Sequence, residues 1–248
     1  LLSNGSYAVM VTNAGGGYSR RQQLAMTRWR EDITSDAWGS FVFVRDLDSG
    51  EAWSTTHQPT GRDAEEYEAT FSLDRAVWRR VDAGLETRTE VVVSPEDDAE
   101  LRRVSITNNS HRVRSLDLTS YAEVVLAPPG ADLVHPAFSN LFIETTAVPE
   151  WDALLCTRRP RSGTDRAYLV HVLSGRGRIG AATEYETDRA RFIGRGRTLA
   201  NPVALSAAGP LSKTTGAILD PIVSLRQSIR LPPGGTARLS FTTAFADS

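Results

Sequence analysis

Apolar and polar residues alternate with a period of two along most of this chain, and turn signals break the alternation at hairpin spacing. That pattern most constrains the fold. Ser40-Phe41-Val42-Phe43-Val44-Arg45 reads as a strand, and Asp48-Ser49-Gly50 turns it into Glu51-Ala52-Trp53-Ser54. Further strands are expected at 66–71 and 76–80. Asp82-Ala83-Gly84 then turns into 85–94, Pro95-Glu96-Asp97-Asp98 into 101–107, and Asn108-Asn109-Ser110 into 113–126. The second half continues with 141–146, 153–158, 168–173 and 222–231, where Pro232-Pro233-Gly234-Gly235 leads into 237–245. No long stretch carries a 3.6-residue apolar period; short helical turns are expected only at 22–26 and 188–192. Pro128-Pro129-Gly130 and Pro160-Arg161-Ser162-Gly163 read as loops rather than linkers, because strands resume on either side. So many one-sided strands must bury their faces on one another, which predicts a single all-β domain of two antiparallel layers over residues 1–248.

Composition narrows the function. With 248 residues, 40% of them hydrophobic and 23% charged, the chain has the material for a sizeable core. No apolar run approaches the roughly 20 residues of a membrane helix, so direct membrane insertion of this domain is not expected. The net charge of -2 provides no field for nucleic acid. Lys213 is the only lysine, an imbalance read first as codon usage. Cys156, the only cysteine, lies in apolar Ala153-Leu154-Leu155-Cys156-Thr157 and reads as a buried thiol in a reducing compartment. The chain opens on Leu1-Leu2-Ser3, and reads as part of something longer.

Motifs for catalysis are weak. Gly175-Arg176-Gly177-Arg178-Ile179-Gly180 matches the dinucleotide fingerprint in letters only, since no βαβ unit surrounds it; a hairpin loop is expected. His57, His111, His135 and His171 do not pair at metal-ligand spacing, so neither a metal nor a cofactor is expected. The carboxylates Glu31, Asp32, Glu90, Glu123 and Asp188 are candidates for sugar chemistry by neighbourhood alone, and Asp188 looks more like a capping or ion-pair residue. An aldose epimerase needs an acid and a base across a sugar ring, for which His135 or His171 with Glu123 or Glu184 are the pairs to consider. Aromatic and arginine residues are the positive signal, because sugars stack on rings and bond to planar polar groups. Tyr18 follows three glycines that permit close backbone approach, and Trp29 stands between Arg28 and Arg30. Trp38, Trp53, Trp78 and Trp151 are open to either packing or ligand contact.

Several of these segments together resemble the β-supersandwich domain of glycoside hydrolase family 94, formerly glycosyltransferase family 36. The segments are Gly15-Gly16-Gly17-Tyr18-Ser19, Asp46-Leu47-Asp48-Ser49-Gly50-Glu51-Ala52-Trp53-Ser54, 186–197, Leu219-Asp220-Pro221-Ile222, and Leu231-Pro232-Pro233-Gly234. Leu1-Leu2-Ser3-Asn4-Gly5-Ser6-Tyr7 and Ser120-Tyr121-Ala122-Glu123-Val124-Val125-Leu126-Ala127-Pro128-Pro129 are most similar to the middle module of cyclic β-1,2-glucan synthases. The resemblance implies a galactose mutarotase-like supersandwich. It also implies a non-catalytic carbohydrate-binding or scaffolding module on the cytoplasmic side of an inner-membrane bacterial enzyme. Its partners would be an adjoining (α/α)6 barrel, a transferase domain and a β-glucan oligosaccharide. The N-terminal domain of a family 94 sugar phosphorylase is the alternative parent. No catalytic residue carries over. Tyr18, Arg28, Trp29, Arg30, Trp53 and Glu123 are the candidate sugar contacts.

Overall fold

The computed structural model describes residues 1–32, 34–160, 166–176, 182–206 and 209–247. Within them the chain moves between two antiparallel sheets in blocks. The first block is β1 (Leu2–Ser3), β2 (Tyr7–Val11), β3 (Gly17–Arg21), β4 (Leu24–Thr27), β5 (Phe41–Asp46) and β6 (Ala52–Ser54), all in sheet I. Next come β7 (Glu66–Phe71), β8 (Ala76–Asp82), β9 (Leu85–Val93) and β10 (Ala99–Asn108), a meander in sheet II. The long β11 (Arg114–Ala127) returns to sheet I and is followed by two helices, α1 (Pro129–Val134) and α2 (Pro136–Asn140). Sheet II then gains β12 (Ile143–Val148), β13 (Ala153–Arg158) and β14 (Ala167–Arg176). After β15 (Glu184–Asp188) of sheet I come α3 (Arg189–Ile193), α4 (Val203–Ser206) and β16 (Gly216–Ala217) of sheet II. Finally β17 (Pro221–Leu231) joins sheet I and β18 (Thr236–Ala246) joins sheet II.

Each strand's alternation decides which layer it feeds. Strand β10 buries every second residue, among them Val104 and Ile106, against the facing sheet. Strands β5 and β11 are buried on both faces, which fits the unbroken apolar runs at 41–44 and 124–127. Val42 and Val44 enter the core between the sheets, whereas Phe41 and Phe43 point the other way and pack with Tyr121, Phe192, Ile193 and Leu205 beneath α3 and α4. Strand β11 is the spine of sheet I: one edge pairs β17, and the other pairs first β5 and then β4. A register shift separates its pairings at Val124 and Ala127, beside Leu126 at φ +49°.

Buried Asn108 ties the two sheet-changing turns together. Its amide donates to the carbonyls of Arg112 (2.7 Å) and Leu231 (3.0 Å), and its backbone carbonyl accepts from Gly234 N–H at 2.7 Å. Strand β18 closes sheet II by pairing with β10 on one side and β14 on the other.

Most expected strands lie where the alternation puts them, and Asp188 caps α3 by accepting from Ala190 N–H at 2.8 Å. Two expectations are corrected, and three strands are added. Residues 22–26 are no helical turn: Gln22 takes a left-handed conformation, and the chain doubles back into β4. Residues 128–130 are not merely a loop, because Pro129 occupies the first turn of α1, where its missing N–H costs nothing. Strands β2, β3 and β15 were not expected at all. Of the 175–180 motif, Gly175 and Arg176 end β14; the rest, like residues 161–163, lies outside the described residues.

Candidate functional site

Arg28 follows the last residue of β4, where its N–H donates to the Glu123 carbonyl of β11 at 3.0 Å. The side chain is 5% exposed, and all five of its N–H groups have acceptors. Nη1 reaches Glu123 Oε2 at 2.7 Å and Asp220 Oδ1 at 3.1 Å. Nε and Nη2 grip the Asp132 carboxylate in a fork at 3.0 and 2.9 Å, and Nη2 also reaches Asn140 Oδ1 at 2.9 Å. One cation thus joins β4, β11, α1, α2 and the segment before β17. Burial acts to lower the Arg28 pKa, but the bonds and charges of Asp132 and Glu123 outweigh it and raise the pKa above the ordinary value. Glu123 Oε1 additionally accepts from Tyr121 Oη at 2.9 Å and Arg189 Nε at 2.7 Å.

Two clefts open on either side of this hub and share Arg28 and Arg30. The first, of about 260 Å³, is lined by Tyr18, Arg20, Trp29, Pro129, Asp132 and Leu133 among others. Alternation along β3 puts Tyr18 and Arg20 on the cleft face and turns Ser19 inward to Glu100. Tyr18 and Trp29 meet edge-to-face with centroids 5.6 Å apart, and Trp29 stays 38% exposed. The second cleft, of about 330 Å³, is lined by Trp38, Pro136, Ala137, Arg189, Leu219 and Asp220 as well. The Arg30 guanidinium lies 5.7 Å over the Trp38 ring.

Five of the six candidate residues therefore converge: Tyr18, Arg28, Trp29 and Arg30 line the first cleft, and Glu123 lines the second. Trp53 does not join them. It is buried in the core between the sheets, with Arg62 over its ring at 5.5 Å, because the β5–β6 hairpin turns it inward. The glycine loop also differs from expectation, since the surface it approaches is the chain's own. Gly15, Gly16 and Gly17 are buried; a Cβ on Gly16 would collide with Asp36, and Gly17 N–H donates to the Trp38 carbonyl at 2.7 Å. The loop thereby seats Trp38 in the second cleft. Arg20, Asp132, Asn140, Arg189 and Asp220 escaped the sequence reading. For Arg20 a signal existed, its i+2 relation to Tyr18; the others come from segments far along the chain.

The acid-base candidates are committed elsewhere. His171 lies buried between Ser120 Oγ and Thr243 Oγ1, each 2.9 Å from a ring nitrogen, and among the described residues no carboxylate is in hydrogen-bond contact with it. Burial, and then the charge of Arg102, push its pKa down to about 3. His135 is exposed between α1 and α2, and Glu184 accepts from Leu211 N–H at 3.0 Å. Glu90 belongs to a surface ladder with Arg75, Arg88 and Arg103. Exposed Asp32 accepts from Thr34. The Cys156 thiol is buried, and burial pushes its pKa up to about 12. Among the described residues no group of three or more His, Cys, Asp or Glu is placed to hold a metal.

Comparison with known proteins adds the relationship. The chain is 40% identical over 247 residues to cyclic beta-(1,2)-glucan synthase NdvB of Rhizobium meliloti (strain 1021), covering 99% of the chain and 9% of that protein. It is 26% identical to N,N'-diacetylchitobiose phosphorylase of Vibrio proteolyticus, covering 97% of the chain and 30% of that protein. The chain thus spans less than a third of these relatives. A solved structure described as an aldose 1-epimerase from Escherichia coli K12 superposes with a TM-score of 0.50 at 10% identity, covering all of this chain and 98% of that one; this likeness concerns the fold alone. The family model "Glycosyl hydrolase 94, supersandwich domain" matches residues 1–248, and the chain belongs to that family.

Proposed function

We propose that the domain is a non-catalytic carbohydrate-binding module of a larger cyclic β-1,2-glucan synthase-like enzyme, and that the cleft at Tyr18 and Trp29 holds the glucan. The observation that carries this reading is the exposed Trp29 ring braced edge-on by Tyr18 above a rigid arginine hub. A pyranose presents an apolar C–H face to such a ring, while its hydroxyls need donors and acceptors at the rim. Arg20 and Arg30 supply donors, and Asp132 lies at the wall. Glu123 takes hydrogen bonds from Arg28, Tyr121 and Arg189, which suits a positioning residue better than a proton donor to a glycosidic oxygen. No helix among the described residues is long and apolar enough to cross a membrane, and a place on the cytoplasmic side of the parent enzyme remains part of the proposal.

A second reading, docking of the sandwich on an adjoining barrel, is favoured by a separate observation. Helices α1 and α2 and their flank leave Leu133, Val134, Phe138 and Leu141 about half exposed or more. Both readings can hold at once, because Leu133 also lines the first cleft.

Calorimetric titration of the chain with linear and cyclic β-1,2-glucans, with cellooligosaccharides as controls, tests the binding reading. Saturable heat that Trp29→Ala weakens at least about tenfold is expected, since stacked aromatic contacts contribute on the order of 1.5 kcal/mol. Absence of heat at millimolar sugar would leave only the docking reading.

A further inference from the structure

The first cleft carries more positive charge than a neutral glucan uses. Arg20, Arg28 and Arg30 line it against a single carboxylate, Asp132, in a chain whose overall charge is -2. The Arg28 guanidinium is already taken up by Asp132, Glu123 and Asp220, so it leaves no donor for a ligand. Arg20 and Arg30 remain. Arg20 is exposed, with its guanidinium 5.5 Å over the Tyr18 ring, and among the described residues no carboxylate forms an ion pair with it. Arg30 comes no nearer than 4.0 Å to Asp132, a long ion pair beyond hydrogen-bond reach, and its Nε has no hydrogen-bond partner among the described residues. Both guanidiniums rest over aromatic rings, Tyr18 and Trp38, which hold them in place without neutralising them.

We propose that the first cleft recognises a sugar bearing an anionic group, with the pyranose on Trp29 and the phosphate or carboxylate between Arg20 and Arg30. This rests on the carbohydrate reading above and narrows its ligand class. Planar guanidiniums present paired N–H groups that match either anion, so the cleft distinguishes charged from neutral sugar more sharply than phosphate from carboxylate. Arg30 also lines the second cleft, so a bound anion there lies at the junction of the two compartments. The rest of a longer glycan has a path in either direction.

Calorimetry on the chain with glucose, glucose 6-phosphate, glucuronate, inorganic phosphate and linear β-1,2-glucan tests this. At low salt, glucose 6-phosphate and glucuronate are expected to bind at least about tenfold tighter than glucose, the gain of one charge-assisted contact. That ratio is expected to shrink toward one as salt rises to about 1 M, because the cations are open to screening. Arg20→Gln and Arg30→Gln are each expected to reduce the ratio severalfold; Arg20→Gln alters only an exposed side chain and keeps the fold. Equal affinity for charged and neutral sugars, or a ratio indifferent to both substitutions, overturns the proposal even where the glucan binds. Inorganic phosphate binding as tightly as glucose 6-phosphate also overturns it, since the sugar would then go unrecognised. Failure of every sugar to bind removes the carbohydrate reading itself.

Discussion

Arg28 shows how a single residue holds this groove. Its guanidinium is withdrawn from water, and its cost of desolvation is offset only because Glu123, Asp132, Asp220 and Asn140 take up every N–H. Arg28→Met leaves buried Asp132 with only the distant Arg30 and Glu123 with only Arg189, and a loss of about 3 kcal/mol in urea unfolding is expected. Arg79→Ala breaks two ion pairs to Glu66 and Glu86 on the open surface, where water screens them, and a much smaller loss is expected. Equal losses would show that the hub is no more than another surface network. His171 provides a pH test of the same interior. The folded state holds its imidazole neutral down to about pH 3, whereas the unfolded chain protonates near its ordinary value of 6.5. Between those values the unfolded state binds more protons, so the His171 contribution is complete above pH 6.5 and declines as pH falls toward 3. The slope is up to about 1.4 kcal/mol per pH unit. Urea midpoints at pH 7 and pH 5 check this: His171→Gln is expected to start lower, having lost a neutral ring between two hydroxyls, and to fall less on acidification.

At the scale of elements, the C-terminal pair of strands does more than extend a sheet. Strand β17 covers one edge of the spine β11, and β18 lies between β10 and β14. A chain ending before Pro221 loses a partner for four strands at once, β11 and β15 in sheet I and β10 and β14 in sheet II, and leaves two unpaired edges in sheet II. It is expected to show no cooperative urea transition and to aggregate; a truncated chain with native near-ultraviolet dichroism would contradict the topology. Elements of this kind were legible in the sequence where one face is wet, as in β8 and β10, because the alternation survives there. They were illegible where both faces are covered or the strand is polar, as in β2 and β3, whose Tyr-Ala-Val-Met-Val and Gly-Tyr-Ser-Arg-Arg show no period of two. The helices α1 and α2 were hidden by prolines that read as breakers but stand at helix starts, where proline is tolerated. Of the groove, Tyr18, Trp29 and Arg30 were legible as a local cluster. The partners that give Arg28 its role were not, since Asp132 is 104 positions away and Asp220 is 192. Trp53 misled because an aromatic residue in a strand does not announce which face it takes.

For the whole molecule, two sheets, each of nine strands among the described residues, form the back of the groove. The clefts sit where β3, β4, the α1–α2 insert and the segment before β17 meet, so the site exists only when distant parts of the chain have assembled. The interleaving that makes the sandwich rigid also sets a schedule for its birth. Strand β10 can be paired on its second edge only by β18, whose matching residues follow about 130 positions later, a wait of roughly 6–26 s at ordinary rates of ribosomal synthesis. Through that interval a nascent strand with Val104 and Ile106 already aligned offers an open edge to every other growing copy on the same message. The codons between β10 and β18, and any chaperone that shields the emerging meander, therefore bear on the yield of this domain as directly as its core does.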